Sequence, residues 1–200
     1  MYVEFIREYI DLGHMRKVSE DASDATMRYY LPHHAVLKPD STTTKLRVVF
    51  DASCPTSSGV SLNDALMVGP VVQDDLTSII LRFRMHRIAV NADIAKMYRM
   101  IGVQSRDYPL QSIKWRNDAS EPIRTYELTT VTYVTSSAPY LATKCLQRLA
   151  DDGKATHSIA TKVIKQDFYV DAMLSGVDTV DEGRSLIRDV IELSESAGFT

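Results

Sequence analysis

Residues 87–100 read Arg-Ile-Ala-Val-Asn-Ala-Asp-Ile-Ala-Lys-Met-Tyr-Arg-Met, and this stretch decides the fold. Ile88, Val90 and Ala92 alternate with Ala89, Asn91 and Asp93, the two-residue period of a half-buried strand. A short helix carrying Met97, Tyr98 and Met100 follows. Asp93 therefore ends an apolar strand and precedes a helix, where the backbone is rigid. Its surroundings are basic: Arg82, Arg84, Arg87, Lys96 and Arg99 lie within the segment 82–99, and no second acid does.

Working toward the N-terminus, Asp74 and Asp75 open a helix whose apolar positions are Leu76, Ile79, Ile80 and Phe83, and acids suit the positive end of the helix dipole. Residues 52–72 are rich in Pro, Ser and Gly and read mostly as loop. Before them, Ala35–Lys38 and Leu46–Phe50 look like two strands joined by the polar stretch 39–44. In the second, Leu46, Val48 and Phe50 point one way, and Arg47, Val49 and Asp51 the other. Residues 14–29 are polar and read as loop or weak helix. The chain opens with Tyr2, Phe5, Ile6 and Tyr9 at helical spacing, with Gly13 as the stop.

Toward the C-terminus, strands around 111–115 and 124–128 flank a polar turn containing Asn117 and Asp118. Ser136 and Ser137 can cap a helix with Pro139 in its first turn and Leu141, Cys145 and Leu149 on one face. Residues 167–177, DFYVDAMLSGV, form a second hairpin with Asp171 at its tip. A closing helix has Val180, Gly183, Ile187, Val190 and Ile191 at helical spacing. Hairpins outnumber βαβ units, so the fold class is α+β.

The chain has 200 residues, with 44 % of them apolar and a net charge of −3. That is enough for one domain or two small lobes. Residues 151–200 carry 5 Lys/Arg against 10 Asp/Glu; the rest carries 23 − 5 = 18 against 26 − 10 = 16, so the larger part is slightly basic. No apolar run reaches the roughly 18 residues of a membrane span. The N-terminus lacks the layout of a secretion signal. Cys54 and Cys145 are lone, as in a reducing compartment. These features predict an intracellular protein, cytoplasmic or nuclear, neither membrane-bound nor secreted.

Asp93 and Asp171 stand out chemically. Strand-end carboxylates brought side by side repel unless a cation sits between them, and hard oxygens suit Mg²⁺. Asp is also a common turn and cap residue, which is the plain alternative. Other constellations are weaker. Asp51-Ala52-Ser53 lacks the Gly of an aspartic-protease signature, His33-His34 has no second ligand pair, and no Gly-rich phosphate loop occurs.

Six blocks now fall in register: YYLPHHAVLKPDSTTTKLRVVFDAS (29–53), SLNDALMVGP (61–70), QDDL (73–76), LRFRMHRIAVNADIAKMYRMI (81–101), YELTTVTYVTSSAPYLATKCL (126–146) and DFYVDAMLSG (167–176). In that order they resemble the reverse transcriptase segment of Pao-like (BEL/Pao) LTR retrotransposon polyproteins, over essentially the whole chain. The resemblance implies the fingers and palm of a right-handed polymerase with the thumb absent. It divides the chain into a lead-in (1–30), a fingers-like segment (31–87) and a palm-like segment (88–200). The implied activity is RNA-directed DNA polymerisation, with template-primer nucleic acid and a deoxynucleoside triphosphate as partners. The implied cofactor is a pair of Mg²⁺ ions, with Mn²⁺ as a substitute. A palm without its thumb also implies some self-association through exposed apolar surface.

By the same resemblance, Asp93 and Asp171 are the catalytic, metal-binding carboxylates and the Ile94 carbonyl is a further metal ligand. Tyr98 is the bulky residue that excludes a ribose 2′-OH, and Lys38 and Arg47 grip the triphosphate. Three positions depart from the family pattern. Ala172 replaces the second Asp of the YxDD hairpin, Ala95 stands where Glu is frequent, and Val134 stands where Gly is usual. The resemblance thus implies a polymerase impaired by the loss at 172, or a catalytically dead remnant that at most binds nucleic acid or a protein partner.

Overall fold

Tyr2, Phe5, Ile6 and Tyr9 build helix α1 (Tyr2–Asp11), which buries Ile6 and Tyr9. Gly13, at φ +72°, ends it. The Gly13 N–H donates to the Ile10 carbonyl at 3.0 Å and the His14 N–H to the Tyr9 carbonyl at 2.8 Å, the paired bonds of a Schellman stop. The computed structural model describes residues 1–19, 27–41 and 45–200. Part of the predicted 14–29 loop and part of the 39–44 connection lie outside these residues.

The chain divides into two units interleaved in sequence: Met1–Val68 with Ile101–Ala138, and Gly69–Met100 with Pro139–Thr200. In the first unit, β1 (Met15–Lys17), β6 (Arg124–Leu128) and β5 (Ser112–Trp115) form an antiparallel sheet in the order β1-β6-β5. A separate hairpin pairs β2 (His33–Leu37) with β3 (Leu46–Phe50), Leu37 opposite Leu46. Val48 and Phe50 are fully buried while Arg47 is exposed, as the alternation predicts. They pack with Ile6, Tyr9, Met15, Leu31, Ile113 and Leu128 in one core, where each large apolar side chain contributes about 1.5–3 kcal/mol. The four-residue helix α2 (Leu62–Ala65) is closed by a Ser61/Asp64 capping box.

Strand β1 corrects the sequence reading of 14–29 as loop or helix. Its pairing partner lies more than a hundred residues away, with Met15 opposite Leu128, so no local pattern announces it. Beside it, Glu127 is 2 % exposed and accepts from Arg16 at 2.8 Å and Arg28 at 2.5 Å.

The second unit is built on β4 (Ile88–Asp93), β8 (Ala172–Val177) and β7 (Phe168–Tyr169), antiparallel in the order β4-β8-β7. Helix α3 (Leu76–Phe83) starts at Asp75, whose side chain accepts from the Ser78 N–H at 3.0 Å. Of its predicted stripe only Ile79 is fully buried. Helix α4 (Ala138–Gly153) buries Ala142, Leu146, Leu149 and Ala150, a face offset from the predicted Leu141, Cys145 and Leu149. Small alanines let a helix approach closely, and a count of large apolar residues overlooks them.

Helix α5 (Ser158–Gln166) was not expected from the sequence. Helix α6 (Val180–Glu195) was, but its buried face is Gly183, Leu186, Val190 and Leu193, while Val180, Ile187 and Ile191 are exposed. Gly183 sets that face: an added Cβ would lie 3.3 Å from Val177 Cγ2 of β8. Among the described residues no helix is long and apolar enough to cross a membrane.

Candidate functional site

The expected turn residue at the tip of the β7–β8 hairpin is where the reading placed it. Tyr169 pairs with Ala172, leaving Val170 and Asp171 as a two-residue loop. Strand β8 also pairs with β4 in a register that sets Asp93 opposite Ala172 and Ala92 opposite Met173. The end of one strand and the tip of the hairpin thus lie side by side. The Ile94 N–H donates to the Asp171 carbonyl at 3.0 Å and fastens the two together. Immediately beyond, the Ala95 N–H donates to the Thr200 carbonyl at 2.8 Å.

The Asp93 carboxylate feels the charge of Asp171. Desolvation pushes the Asp93 carboxyl above the ordinary aspartate range, and the negative charge of Asp171 pushes it further. Tyr98, in the short 3₁₀ helix Met97–Met100, has its phenol raised by burial and then by the same Asp171 charge. Asp93, Tyr98 and Asp171 therefore form one electrostatic group, with Ile94 buried between the strand and the helix. Asp93 itself is exposed and Asp171 half-buried.

Lys38 and Arg47 belong to the other unit. Arg47 pairs with Val36 across the β2–β3 hairpin, and the Lys38 N–H donates to the Lys45 carbonyl at 2.9 Å just past its end. Period-two alternation puts Lys38, Lys45 and Arg47 on one face, and all three are exposed.

Of the three positions singled out as departures, Ala172 faces Asp93 across the ladder. Val134 has an ordinary negative φ, since Lys96 and Val170 are the described non-glycine residues with positive values. Its carbonyl accepts from Asn63 Nδ2 at 3.2 Å, and Asn63 Oδ1 accepts from the Ser136 N–H at 2.7 Å. Sequence reasoning missed Asn63 and also Gln73, whose Oε1 accepts from the Val170 N–H at 3.0 Å. Nothing in local periodicity marks either; both act across more than seventy residues.

The donor set is hard oxygen: two carboxylates and a strand-end backbone. Such a set suits one Mg²⁺ that completes its shell with water or substrate phosphate. Among the described residues no cluster of three or more His, Cys, Asp or Glu could hold a metal ion.

The small antiparallel sheet backed by helices, with Asp171 at a hairpin tip beside the strand end at Asp93, belongs to a fold that is reverse-transcriptase-like by its likeness to solved structures. The chain is similar to a crystal structure of the native Prototype Foamy Virus Protease-Reverse Transcriptase, at a TM-score of 0.69 and 16 % identity. It is similar also to a selenomethionine-labelled CSH mutant of that protein, at 0.72 and 16 %. Each match covers 98 % of this chain and 22 % of the other, so the chain spans about a fifth of their length. At this identity the likeness carries the fold alone. No family model matches the chain, and no curated protein does.

Proposed function

We propose that this chain is the fingers-and-palm portion of the reverse transcriptase of a Pao-like LTR retrotransposon, and that its nucleotidyl transfer is severely impaired. The observation that carries the reading is the register that sets Asp93 against the β7–β8 hairpin, with Ala172 in the facing position. The reverse-transcriptase-like fold and the six ordered sequence blocks support it. On this reading the polymerase partners are template-primer nucleic acid and a deoxynucleoside triphosphate, inside the cell.

In the proposed reaction the primer 3′ oxygen attacks the α-phosphorus and pyrophosphate leaves. Asp93 and Asp171, with the Ile94 carbonyl, would hold divalent metal, which when bound supplies charge neutralisation to the attacking and leaving oxygens. Tyr98 would exclude a 2′-OH by ring volume, and Lys38 and Arg47 would bind triphosphate oxygens, Arg47 as a bidentate fork. The chain's part is positioning and charge. With Ala172, two carboxylates face what three would hold, and a barrier higher by only about 4 kcal/mol costs roughly a thousandfold in rate. The same gap favours a second reading, a remnant that retains the fold and binds nucleic acid without catalysis.

The test is primer extension on an RNA template with Mg²⁺ and then Mn²⁺. It compares this chain with the Ala172→Asp/Val134→Gly variant and with Asp93→Asn. Weak or absent extension by the chain with recovery in the double variant is expected. Robust extension by the chain, abolished by Asp93→Asn, would show that two carboxylates suffice and refute the impairment. Silence from all three would refute the polymerase reading of this chain.

A further inference from the structure

The hairpin tip that carries Asp171 is held in an unfavourable conformation by a residue from outside its sheet. Val170 occupies the first of the two loop positions at φ 56°, a place that two-residue hairpins give to Gly, Asn or Asp. A β-branched residue there is a conformational outlier, and outliers persist only where their surroundings over-determine them. Between the paired Tyr169 and Ala172, the Val170 N–H turns to Gln73 Oε1, 3.0 Å away.

Gln73 is itself fixed from both sides. The carbonyl of Val72 accepts from Gln147 Nε2 on α4. Two residues further on, Asp75 is the N-cap of α3. Gln73, Thr143, Gln147, Phe168 and Val170 line a narrow cavity behind the tip. On the opposite side the Ile94 N–H grips the Asp171 carbonyl at 3.0 Å. The tip is thus clamped at two consecutive residues, Val170 by Gln73 and Asp171 by Ile94, and this fixes the backbone from which the Asp171 carboxylate projects.

We propose that Gln73 is a positioning residue: by accepting the Val170 N–H it holds the strained turn in the conformation that keeps the Asp171 carboxylate beside Asp93. The role of those carboxylates rests on the proposed function; the clamp itself does not. Gln is suited to the task because its amide oxygen accepts without bringing a third negative charge to the two carboxylates.

The experiment compares the chain with Gln73→Leu, Gln73→Glu and Gln73→Leu/Val170→Gly, with Gln73→Met in place of Leu if the branched side chain does not fold. NMR reads the Val170 amide exchange rate and the Asp171 χ1 couplings in metal-free protein; Mn²⁺ affinity is then measured by paramagnetic broadening. In Gln73→Leu, Val170 exchange should accelerate on the order of tenfold, the worth of one lost hydrogen bond, and the Asp171 rotamer should become averaged. The Leu174 N–H, which donates to the Asp167 carbonyl at 2.8 Å, should exchange unchanged. Gln73→Glu keeps the acceptor and should retain the protection. Adding Val170→Gly removes the strain that needs holding and should restore a single Asp171 rotamer.

Unchanged Val170 exchange, or an unchanged Asp171 rotamer, in Gln73→Leu would overturn the clamp. Loosening in Gln73→Leu together with weaker Mn²⁺ binding supports both the clamp and the metal-site reading. Loosening with no Mn²⁺ bound by any variant leaves the clamp standing and refutes the metal-site reading alone.

Discussion

Replacing Ala172 by Asp puts a carboxylate directly across the ladder from Asp93. Side chains in such a pair have Cβ atoms about 4.5–5.5 Å apart. Two unit charges at about 5 Å repel by roughly 1 kcal/mol in water and roughly 3 kcal/mol at the effective dielectric of a protein surface. Asp93 is exposed, so screening favours the lower half, about 1–2 kcal/mol. For a chain of this size that is a fall in Tm of roughly 2–8 °C in metal-free buffer. Asp93 already has a raised folded-state pKa and a carboxylate at 172 would push it further, so the folded state would bind more protons than the unfolded one. Stability is therefore lost as pH rises through the carboxylate range and regained as pH falls below it.

Divalent metal should reverse the sign. A ligand at a hundred times its Kd stabilises by about 2.7 kcal/mol, so saturating Mn²⁺ should lift the variant more than the parent. The assay is calorimetric melting of parent, Ala172→Asp and Asp93→Asn/Ala172→Asp at pH 4.5 and 7.5, with and without Mn²⁺. The double variant should lose both the deficit and the enhanced metal response. An Ala172→Asp protein that melts with the parent at pH 7.5 and ignores Mn²⁺ would refute the juxtaposition of residues 93 and 172.

Further expectations follow from the same geometry. Val170→Gly relieves a backbone cost of about 1–3 kcal/mol against an entropic loss of about 0.5–1 kcal/mol, so urea unfolding should show a net gain near 1 kcal/mol. Glu127→Gln leaves Arg16 and Arg28 without their shared carboxylate; breaking a buried pair in this way costs about 3–5 kcal/mol, with the exposure of Arg16 pulling toward the lower figure, and denaturant midpoints should fall accordingly. Gly176→Ala would bring a Cβ within 2.6 Å of the Ile88 carbonyl and 2.4 Å of His86 Cβ, an overpacking worth about 1–3 kcal/mol, and its Tm should drop. Asp93→Asn removes a carboxylate whose folded-state pKa is raised, so the fall of Tm as pH rises through the carboxylate range should flatten.

The elements that read clearly in the sequence are those whose pattern is local. Alternation set the two faces of 46–50 and 88–93, a 3.6-residue period set α1, and a single acid interrupting the apolar run 168–174 set the hairpin with Asp171 at its tip. Asp93 and Asp171 were singled out because strand ends and turn tips are visible one segment at a time, and the six blocks gave the reverse-transcriptase-like reading. Tertiary structure alone decided that β8 lies between β4 and β7, that the register brings Ala172 rather than Asp171 opposite Asp93, and that Gln73 and Ile94 hold the tip from two sides. It also chose which faces of α4 and α6 are buried, through alanines and a glycine that carry little hydrophobic signal, and recruited Met15–Lys17 into a sheet. The physical reason is common to all of these. A side chain's periodicity is fixed by its neighbours in sequence, whereas a pairing register, a helix face or a hydrogen bond across seventy residues is fixed by the fit of surfaces that meet only when the chain has folded.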